Sequence, residues 1–315
     1  MINIGSGGGH FGGSYTPDDY KKIIRDSHQG TQDAQYETNV NEMINERLAG
    51  YNRNPEATNE HLDELQGVIE EEGIGTVDMR FGGSVKKHTY VDGLSDVDVF
   101  VCIDKTDLAD DSPQELLNYI KKRIDDANLT DVREVRVGDL AVTVLFSDGE
   151  EIQMLPTIRR SEGFKISDGK GGWSNVVRPD KFASKLTEVN QNCNGKVVPV
   201  IKLVKGIISQ LPEDQRLSGY HVESIAIEVF KSYPESEPMT SKAMLRYFFE
   251  HAREVVKSPI KDKTNQSIHV DDYLGQENSP ERIRVSYTLD RISRKMKNAD
   301  ELRSTEEWNE ILGEE

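Results

Sequence analysis

The stretch GGSVKKHTYVDGLSDVDVFV, residues 82 to 101, contains the most informative pattern of this sequence. Near its end Asp96 and Asp98 alternate with valines. In a β-strand, residues i and i+2 project from the same face, so these two carboxylates would lie about 6–7 Å apart. Two solvated aspartates at a strand end would show the same pattern. Like charges this close are unfavourable without a cation between them, so the pattern also predicts a site for Mg²⁺, which prefers oxygen ligands and substrate phosphates.

A glycine pair and a serine come before the two aspartates, at the end of the strand-like segment TVDMRFGG (76–83). Backbone N–H groups and a hydroxyl at such a position can turn toward a phosphate. Gly83 and Ser84 also fit an ordinary tight turn. The spacing from Ser84 to Asp96 matches a short helix followed by a turn, so both motifs could face one cleft. Together they favour a phosphate-binding turn that faces two metal ligands.

Composition limits the classes of function. The chain has 315 residues, 30% of them charged, and a formal net charge of −17. This charge argues against stable, sequence-independent binding to duplex nucleic acid, which relies on basic patches. Two distant cysteines, Cys102 and Cys193, fit a reducing compartment. Neither a signal-peptide pattern nor a membrane-length apolar run is present, so we expect a cytoplasmic protein without membrane partners.

The hydrophobic periodicity divides the chain into regions. Helical patterns come first as separate segments with polar breaks, a mixed sheet of about four strands with one inserted helix follows, and helices dominate after about residue 180. We predict an α+β fold with three parts: a flexible Gly-rich N-terminus (1–16), a core with N-terminal helices (17–165) and a helical lobe (166–315). The predicted strands are TVDMRFGG (76–83), DVDVFVCID (96–104), VREVRVGDLAVTVLFS (132–147) and EEIQMLPTI (150–158).

The stretch 82–101 resembles the Gly-Ser and D-x-D motifs of the DNA polymerase β-like nucleotidyltransferases. VIKLVKGI and RLSGYHVESIAIEVF resemble two later helices of one group in that superfamily, the cGAS/DncV-like nucleotidyltransferases (CD-NTases), which are related to the oligoadenylate synthases. HVDDYLGQENSPERI resembles their late D-P-x-G-x-x-N turn, with Asp272-Tyr273 in place of Asp-Pro. The resemblance covers about residues 60 to 298.

This resemblance implies a polymerase β-like nucleotidyltransferase core and a helical lobe, with an NTP bound between them. Gly83 and Ser84 would hold the triphosphate, and Asp96 and Asp98 would bind two Mg²⁺ ions, for which Mn²⁺ could substitute. Lys205 would pair with phosphate, although it could equally be an exposed helix residue. Tyr220 would stack on the base, although it could equally pack in the core.

One position departs from the family pattern. The family places a third carboxylate three residues before a proline, and Gln153 stands there, in EEIQMLPTI. An amide oxygen is a weaker ligand for a hard cation. Three explanations remain open: Glu151, on the same strand face, reaches the metal; two aspartates suffice while Gln153 orients the attacking hydroxyl; or the site only binds nucleotide.

The resemblance leads us to expect an enzyme that joins NTPs into a cyclic or short linear oligonucleotide second messenger. The setting would be anti-phage (CBASS-type) defence, with the product passed to a downstream effector protein. The alternatives are transfer of nucleotides to an oligonucleotide end, a tRNA or a protein, and a catalytically silent nucleotide-binding module.

Overall fold

The computed structural model describes residues 17–51, 54–70, 77–92, 94–103, 108, 110–260 and 271–313. The predicted flexible N-terminus, residues 1–16, lies outside these ranges. The helices are α1 Pro17–Ala49, α2 Pro55–Ile69, α3 Gly83–Lys86, α4 Pro113–Ala127, α5 Pro179–Asn192, α6 Val197–Ser209, α7 Gly219–Phe230, α8 Ser241–Val255, α9 Pro280–Leu302 and α10 Thr305–Leu312. The strands are β1 Asp78–Phe81, β2 Val97–Cys102, β3 Val132–Val137, β4 Val142–Phe146, β5 Glu151–Arg160 and β6 Gly163–Lys165.

The strands form one mixed sheet in the order β1-β2-β5-β4-β3, and β6 pairs with the end of β5. Only the central pair β2–β5 is parallel among the described strands. Val97, Val99 and Val101 of β2 are fully buried against the main core of the sheet. Asp98 therefore projects from the opposite face, and this is how a strand of buried valines also presents a carboxylate.

The predicted mixed sheet with flanking helices is confirmed, but the expected number of about four strands was wrong. The segment 132–147 folds into two antiparallel strands, β3 and β4, whose turn is closed by a bond from Gly138 N to Ala141 O of 2.9 Å. β5 runs past Pro156 to Arg160, and β6 adds a sixth strand.

The helix starts follow local capping chemistry. Ser112 and Glu115 form a capping box at the start of α4, and Ser279 caps α9. Of the predicted polar breaks near the N-terminus, the one between YKKIIRD and VNEMINERLAGY was wrong, because α1 is one continuous helix of 33 residues, whereas the break before α2 is confirmed. None of the helices in the described ranges combines the length and apolar character needed to cross a bilayer.

Buried apolar side chains form two main clusters. One lies between the sheet and helices α2 and α4, and the other joins the helices of the second half of the chain. The buried α1 residues Tyr36, Val40 and Ile44 belong to the helical cluster. The boundary at residue 165, with α1 assigned to the nucleotidyltransferase core, stays a prediction.

Candidate active site

The turn between β1 and α3 brings the backbone against Asp98. Gly82 N donates to the Asp98 carbonyl at 2.8 Å. Gly83 has a φ of +42°, and a Cβ atom added there would lie 1.5 Å from Asp98 Oδ2. Only glycine fits this close approach without movement of the chain or of the carboxylate.

Ser84 lies directly behind this glycine at the start of α3. Its backbone N–H donates to the Asp98 carboxylate, and this bond offsets part of the rise in the pKa of Asp98 that burial causes. Its side chain is buried, and its Oγ has no hydrogen-bond partner within the described part of the chain. A buried hydroxyl in this state is available to a ligand oxygen.

The parallel pairing of β2 and β5 places Asp98 opposite Gln153. Gln153 Nε2 donates to Asp96 Oδ2 at 2.6 Å. The amide that replaces the expected third carboxylate therefore contacts one of the two predicted metal ligands.

Both aspartates are less acidic than usual. Burial, followed by the charges of Glu151 and Asp98, raises the pKa of Asp96 to about 6, although Arg136 opposes the shift. Burial also raises the pKa of Asp98, against the opposing effect of Lys87. The site therefore concentrates negative charge that a cation would stabilise.

The negative charge of Glu151 raises the pKa of Asp96 more than the negative charge of Asp98 does. Glu151 lies on the same face of β5 as Gln153, two residues away. Arg136 Nη2 donates to Glu151 Oε2 at 2.9 Å, so the two side chains form an ion pair. Glu151 is thus a third carboxylate beside Asp96, held in place by a cation on β3.

Asp96 borders a large cavity of about 920 Å³ between the sheet edge and the helical half. Asp96 and Glu151 line it from the sheet, and Lys205 and Gly219 line it from α6 and the start of α7. The cavity is open to solvent and has room for nucleotides.

Lys205 is held by a buried carboxylate in this structure. Its Nζ donates to Glu223 Oε1 at 3.0 Å and to the Thr89 carbonyl at 3.0 Å. Glu223 has no exposed side-chain area, and its other oxygen pairs with Lys87. Two lysines and one glutamate therefore link α6 and α7 to the chain that follows α3.

No protein-family model matches the chain, and no curated protein matches it in sequence. Solved structures do match. The CD-NTase CdnG of Bradyrhizobium diazoefficiens, in complex with GTP, aligns with a TM-score of 0.67 and 14% identity over 86% of this chain and 94% of that one.

Two further structures agree. CdnC of E. coli MS115-1 with ATP gives a TM-score of 0.64 and 16% identity over 86% of this chain and 97% of its own. DncV of Vibrio cholerae, a cyclic AMP-GMP synthase in complex with a linear intermediate, gives a TM-score of 0.62 and 9% identity over 95% of this chain and 91% of its own. The chain has the CD-NTase fold. Identities this low establish the fold and leave the activity to be argued from the site.

Within the CD-NTase fold, the predicted residues fall into three places. Six of them converge at the sheet edge: Gly83, Ser84, Asp96, Asp98, Glu151 and Gln153. Lys205 lies across the same cavity. Tyr220 is partly exposed at the start of α7 and packs on Phe182, with a centroid separation of 4.6 Å. Lys87 Nζ lies 5.3 Å from the Tyr220 ring.

The sequence analysis missed three residues that organise this region: Lys87, Thr89 and Glu223. Lys87 and Thr89 lie within the stretch 82–101, where no local pattern distinguishes them from other polar residues. Glu223 had a visible signal, because an acidic residue in the apolar helix YHVESIAIEVF must be paired if it is buried. The sequence does not reveal its partners, which come from other parts of the chain.

The donors around Asp96 and Asp98 fit a hard divalent cation. Carboxylate oxygens are the ligands that Mg²⁺ prefers, and Mn²⁺ accepts the same set. Gly83 leaves the Asp98 carboxylate uncovered by a side chain, and the buried hydroxyl of Ser84 is oriented by no other group in the described residues. The residues present therefore suit a metal–nucleotide complex.

Proposed function

We propose that this chain is a metal-dependent nucleotidyltransferase that joins NTPs into a cyclic or short linear oligonucleotide. The observation that carries the proposal is the convergence of Ser84, Asp98 and Asp96 at one edge of the sheet, where Asp96 and Glu151 line a large cavity. Cyclic dinucleotide synthases with the same fold support it. The NTP would lie between a core of residues 17–165 and a helical lobe of residues 166–315.

Each residue has a role that follows from its place. The Gly83 N–H and the free Ser84 hydroxyl would bind the triphosphate, and Asp96 and Asp98 would hold two Mg²⁺ ions. When bound, the ions would lower the pKa of the attacking ribose hydroxyl and offset the charge of the leaving pyrophosphate. The remaining task of the protein is to position the hydroxyl in line with the α-phosphate and the leaving group.

The helical side of the cavity supplies positive charge. Lys205 would turn toward substrate phosphate, to which its ammonium is matched by charge. Before substrate binds, Glu223 holds Lys205 in place, because its carboxylate accepts hydrogen bonds from both Lys205 and Lys87. Tyr220 would stack on a base at the edge of the cavity.

Glu151 is the residue that completes the metal site in this proposal. It is a carboxylate, lines the cavity and acts electrostatically on Asp96. Gln153 contacts Asp96 through its N–H group, which cannot bind a metal, and so acts as a positioning residue. The third carboxylate would then lie two residues earlier on the strand than in the family pattern.

The biological setting is part of the same proposal. A cytoplasmic synthase of this kind would act in anti-phage (CBASS-type) defence and pass its product to an effector protein. A formal charge of −17 disfavours direct sensing of duplex nucleic acid, so activation would come from another source.

Incubation of the chain with labelled NTPs and Mg²⁺, followed by chromatography and mass spectrometry of the products, tests the proposal. The expected result is an oligonucleotide product with pyrophosphate release that disappears in Asp96→Ala and Asp98→Ala. Glu134→Gln, which changes an exposed charge on β3, serves as the active control. If no combination of the four NTPs gives a product, or if Asp96→Ala matches the parent, the synthase proposal is wrong.

Gln153 favours a second candidate, a catalytically silent nucleotide-binding module. It predicts NTP binding by calorimetry without pyrophosphate release. Candidate acceptors (an oligonucleotide, tRNA or protein) are then added to the same assay. A nucleotide found on one of them would distinguish transfer to an external hydroxyl from both oligonucleotide synthesis and silent binding.

A further inference from the structure

A second cluster of possible metal ligands lies outside the Asp96/Asp98 pair. His61 on α2 faces the turn between β4 and β5, which carries Asp148 and Glu150. His61 Nε2 lies 3.0 Å from Asp148 Oδ2 and 3.9 Å from Glu150 Oε2. One nitrogen and two carboxylate oxygens lie within 4.8 Å of one another.

The surrounding contacts hold these side chains in one arrangement. The His61 ring stacks on Phe146 with a centroid separation of 3.7 Å. Glu150 N donates to Asp148 Oδ1 at 2.9 Å, and Thr58 Oγ1 donates to Glu150 Oε1 at 2.5 Å. Each carboxylate thus has one oxygen fixed by a hydrogen bond and turns the other toward the imidazole. Such supporting bonds are typical of ligands that are oriented for a metal.

The donor set indicates which ion would fit. Two carboxylates and a neutral imidazole carry a charge of −2, which a divalent cation would balance. Mg²⁺ prefers an all-oxygen shell, whereas one histidine nitrogen with two carboxylates suits Zn²⁺. The competing explanation is that the three side chains contact only one another and bind no metal.

We propose that His61, Asp148 and Glu150 form a Zn²⁺ site separate from the Asp96/Asp98 pair. Three protein ligands leave a coordination position for water or a ligand group. That position would face the large cavity, because Asp148 and Glu150 both line it. The ion would also tie α2 to the turn that begins β5, the strand of Glu151 and Gln153.

The site is tested without nucleotide, so the result is independent of the proposed nucleotidyltransferase activity. The full chain is treated with a chelator, exchanged into buffer with excess Mg²⁺ to occupy hard-oxygen sites, and titrated with ZnCl₂ in a calorimeter. We expect one Zn²⁺ per chain, and His61→Gln should weaken binding by more than about 100-fold. The double variant Asp96→Asn/Asp98→Asn should keep the zinc affinity of the parent.

Two further variants complete the test. Asp148→Asn keeps an oxygen for the Glu150 N–H, so it should fold normally while weakening zinc binding by at least about tenfold. His251→Gln, on exposed α8 surface, is the control for adventitious histidine binding. Replacement with Co²⁺ should give visible absorption bands that His61→Gln abolishes. The proposal is overturned if the parent binds no Zn²⁺ in excess Mg²⁺, or if Asp148→Asn and His61→Gln, shown to be folded, bind it like the parent.

Discussion

Gln153 donates a 2.6 Å hydrogen bond to Asp96, across the parallel pair of strands that carries the candidate metal ligands. An aspartate at position 153 would place another negative charge against Asp96, whereas the amide offers it a donor. The third negative charge at this edge comes from Glu151, which Arg136 holds at 2.9 Å. The departure from the family pattern is therefore local: the carboxylate is two residues away on the same strand face.

Glu151 should matter more than Gln153 to nucleotidyl transfer. We expect Glu151→Gln to lower kcat by about 100-fold or more, because it removes a charge that helps to hold a metal. Gln153→Ala leaves all three carboxylates and should cost less than about tenfold. Steady-state pyrophosphate release checks both. Glu134→Gln removes the other acidic neighbour of Arg136 and is the matched control. Equal losses in Glu151→Gln and Glu134→Gln would contradict a metal-binding role.

Asp96 should destabilise the metal-free protein above pH 6. Its pKa is raised to about 6 from an ordinary 3.8, so the folded state binds more protons than the unfolded state between these values. Stability from this group is present at low pH and is lost as the pH rises through 6. Asp96→Asn should therefore raise the Tm in chelator at pH 7.5 by about 2–4 °C, a figure that allows for partial solvent screening.

The same variant should show a smaller gain at pH 5, where Asp96 itself is mostly protonated. Adding Mg²⁺ should stabilise the parent more than Asp96→Asn. A gain in Tm that is equal at both pH values would show that the charge of Asp96 is not its cause.

The sequence predicted the local features of this site, because they depend on short-range patterns. Alternation with valines placed Asp96 and Asp98 at the edge of a strand, and the serine-proline pairs at 112–113 and 279–280 are short-range signals for the starts of α4 and α9. The split of residues 132–147 into a hairpin was missed, because the alternating apolar pattern runs through both strands and only Gly138 interrupts it. The polar middle of α1 predicted a break, yet the helix continues through its exposed residues to Asp33, which pairs with Arg303, and to Tyr36, which is buried in the helical cluster.

The long-range pairings could not be predicted. Nothing local in EEIQMLPTI indicates that Gln153 faces Asp98, since the parallel register depends on a crossover of about fifty residues. The partners of Lys205 are similarly distant: Glu223 lies on the next helix and Thr89 lies more than a hundred residues earlier. A single sequence shows which residues can carry charge, but not which of them meet.

Gly83 should tolerate no side chain. Gly83→Ala would put a Cβ into the Asp98 carboxylate and strain a φ of +42°. We expect a loss of about 1–3 kcal/mol in the free energy of unfolding and a loss of NTP binding. Gly67→Ala is the control, because a Cβ in that helix meets nothing within 4 Å and should stabilise by up to about 1 kcal/mol. Denaturant unfolding and calorimetry measure the two effects. Full NTP affinity in Gly83→Ala would exclude the phosphate-cradle role.

Glu223 should be among the most sensitive charged residues of the described chain. It is fully buried between Lys87 and Lys205, so Glu223→Gln leaves two ammonium groups without their anion. We expect a loss of about 3–5 kcal/mol in the free energy of unfolding. Glu228→Gln, on the same helix, breaks a more exposed pair with Lys231 and should cost less than about 1 kcal/mol. Similar losses in the two variants would mean that the buried ion pairs contribute little.

His221 should make the fold sensitive to acid. It is buried on α7, its Nδ1 lies 2.9 Å from the Tyr273 hydroxyl, and its Nε2 lies 3.5 Å from Asp271. Burial lowers its pKa to about 4, although the charge of Asp271 opposes the shift. The unfolded state therefore takes up a proton near pH 6.5, whereas the folded state does so only near pH 4. The free energy of unfolding thus falls as the pH drops below 6.5.

Between pH 7 and pH 5 this single group should remove about 2 kcal/mol from the free energy of unfolding. His221→Asn does not titrate in this range, so the difference between the parent and this variant should shrink toward pH 5, even if the variant is less stable throughout. Urea unfolding at both pH values measures the difference, and it also cancels the opposite contribution of Asp96, which both proteins share. Curves of parent and variant that run parallel with pH would show that folding does not shift the pKa of His221, and a difference that grows toward pH 5 would show that Asp271 holds His221 protonated in the folded state.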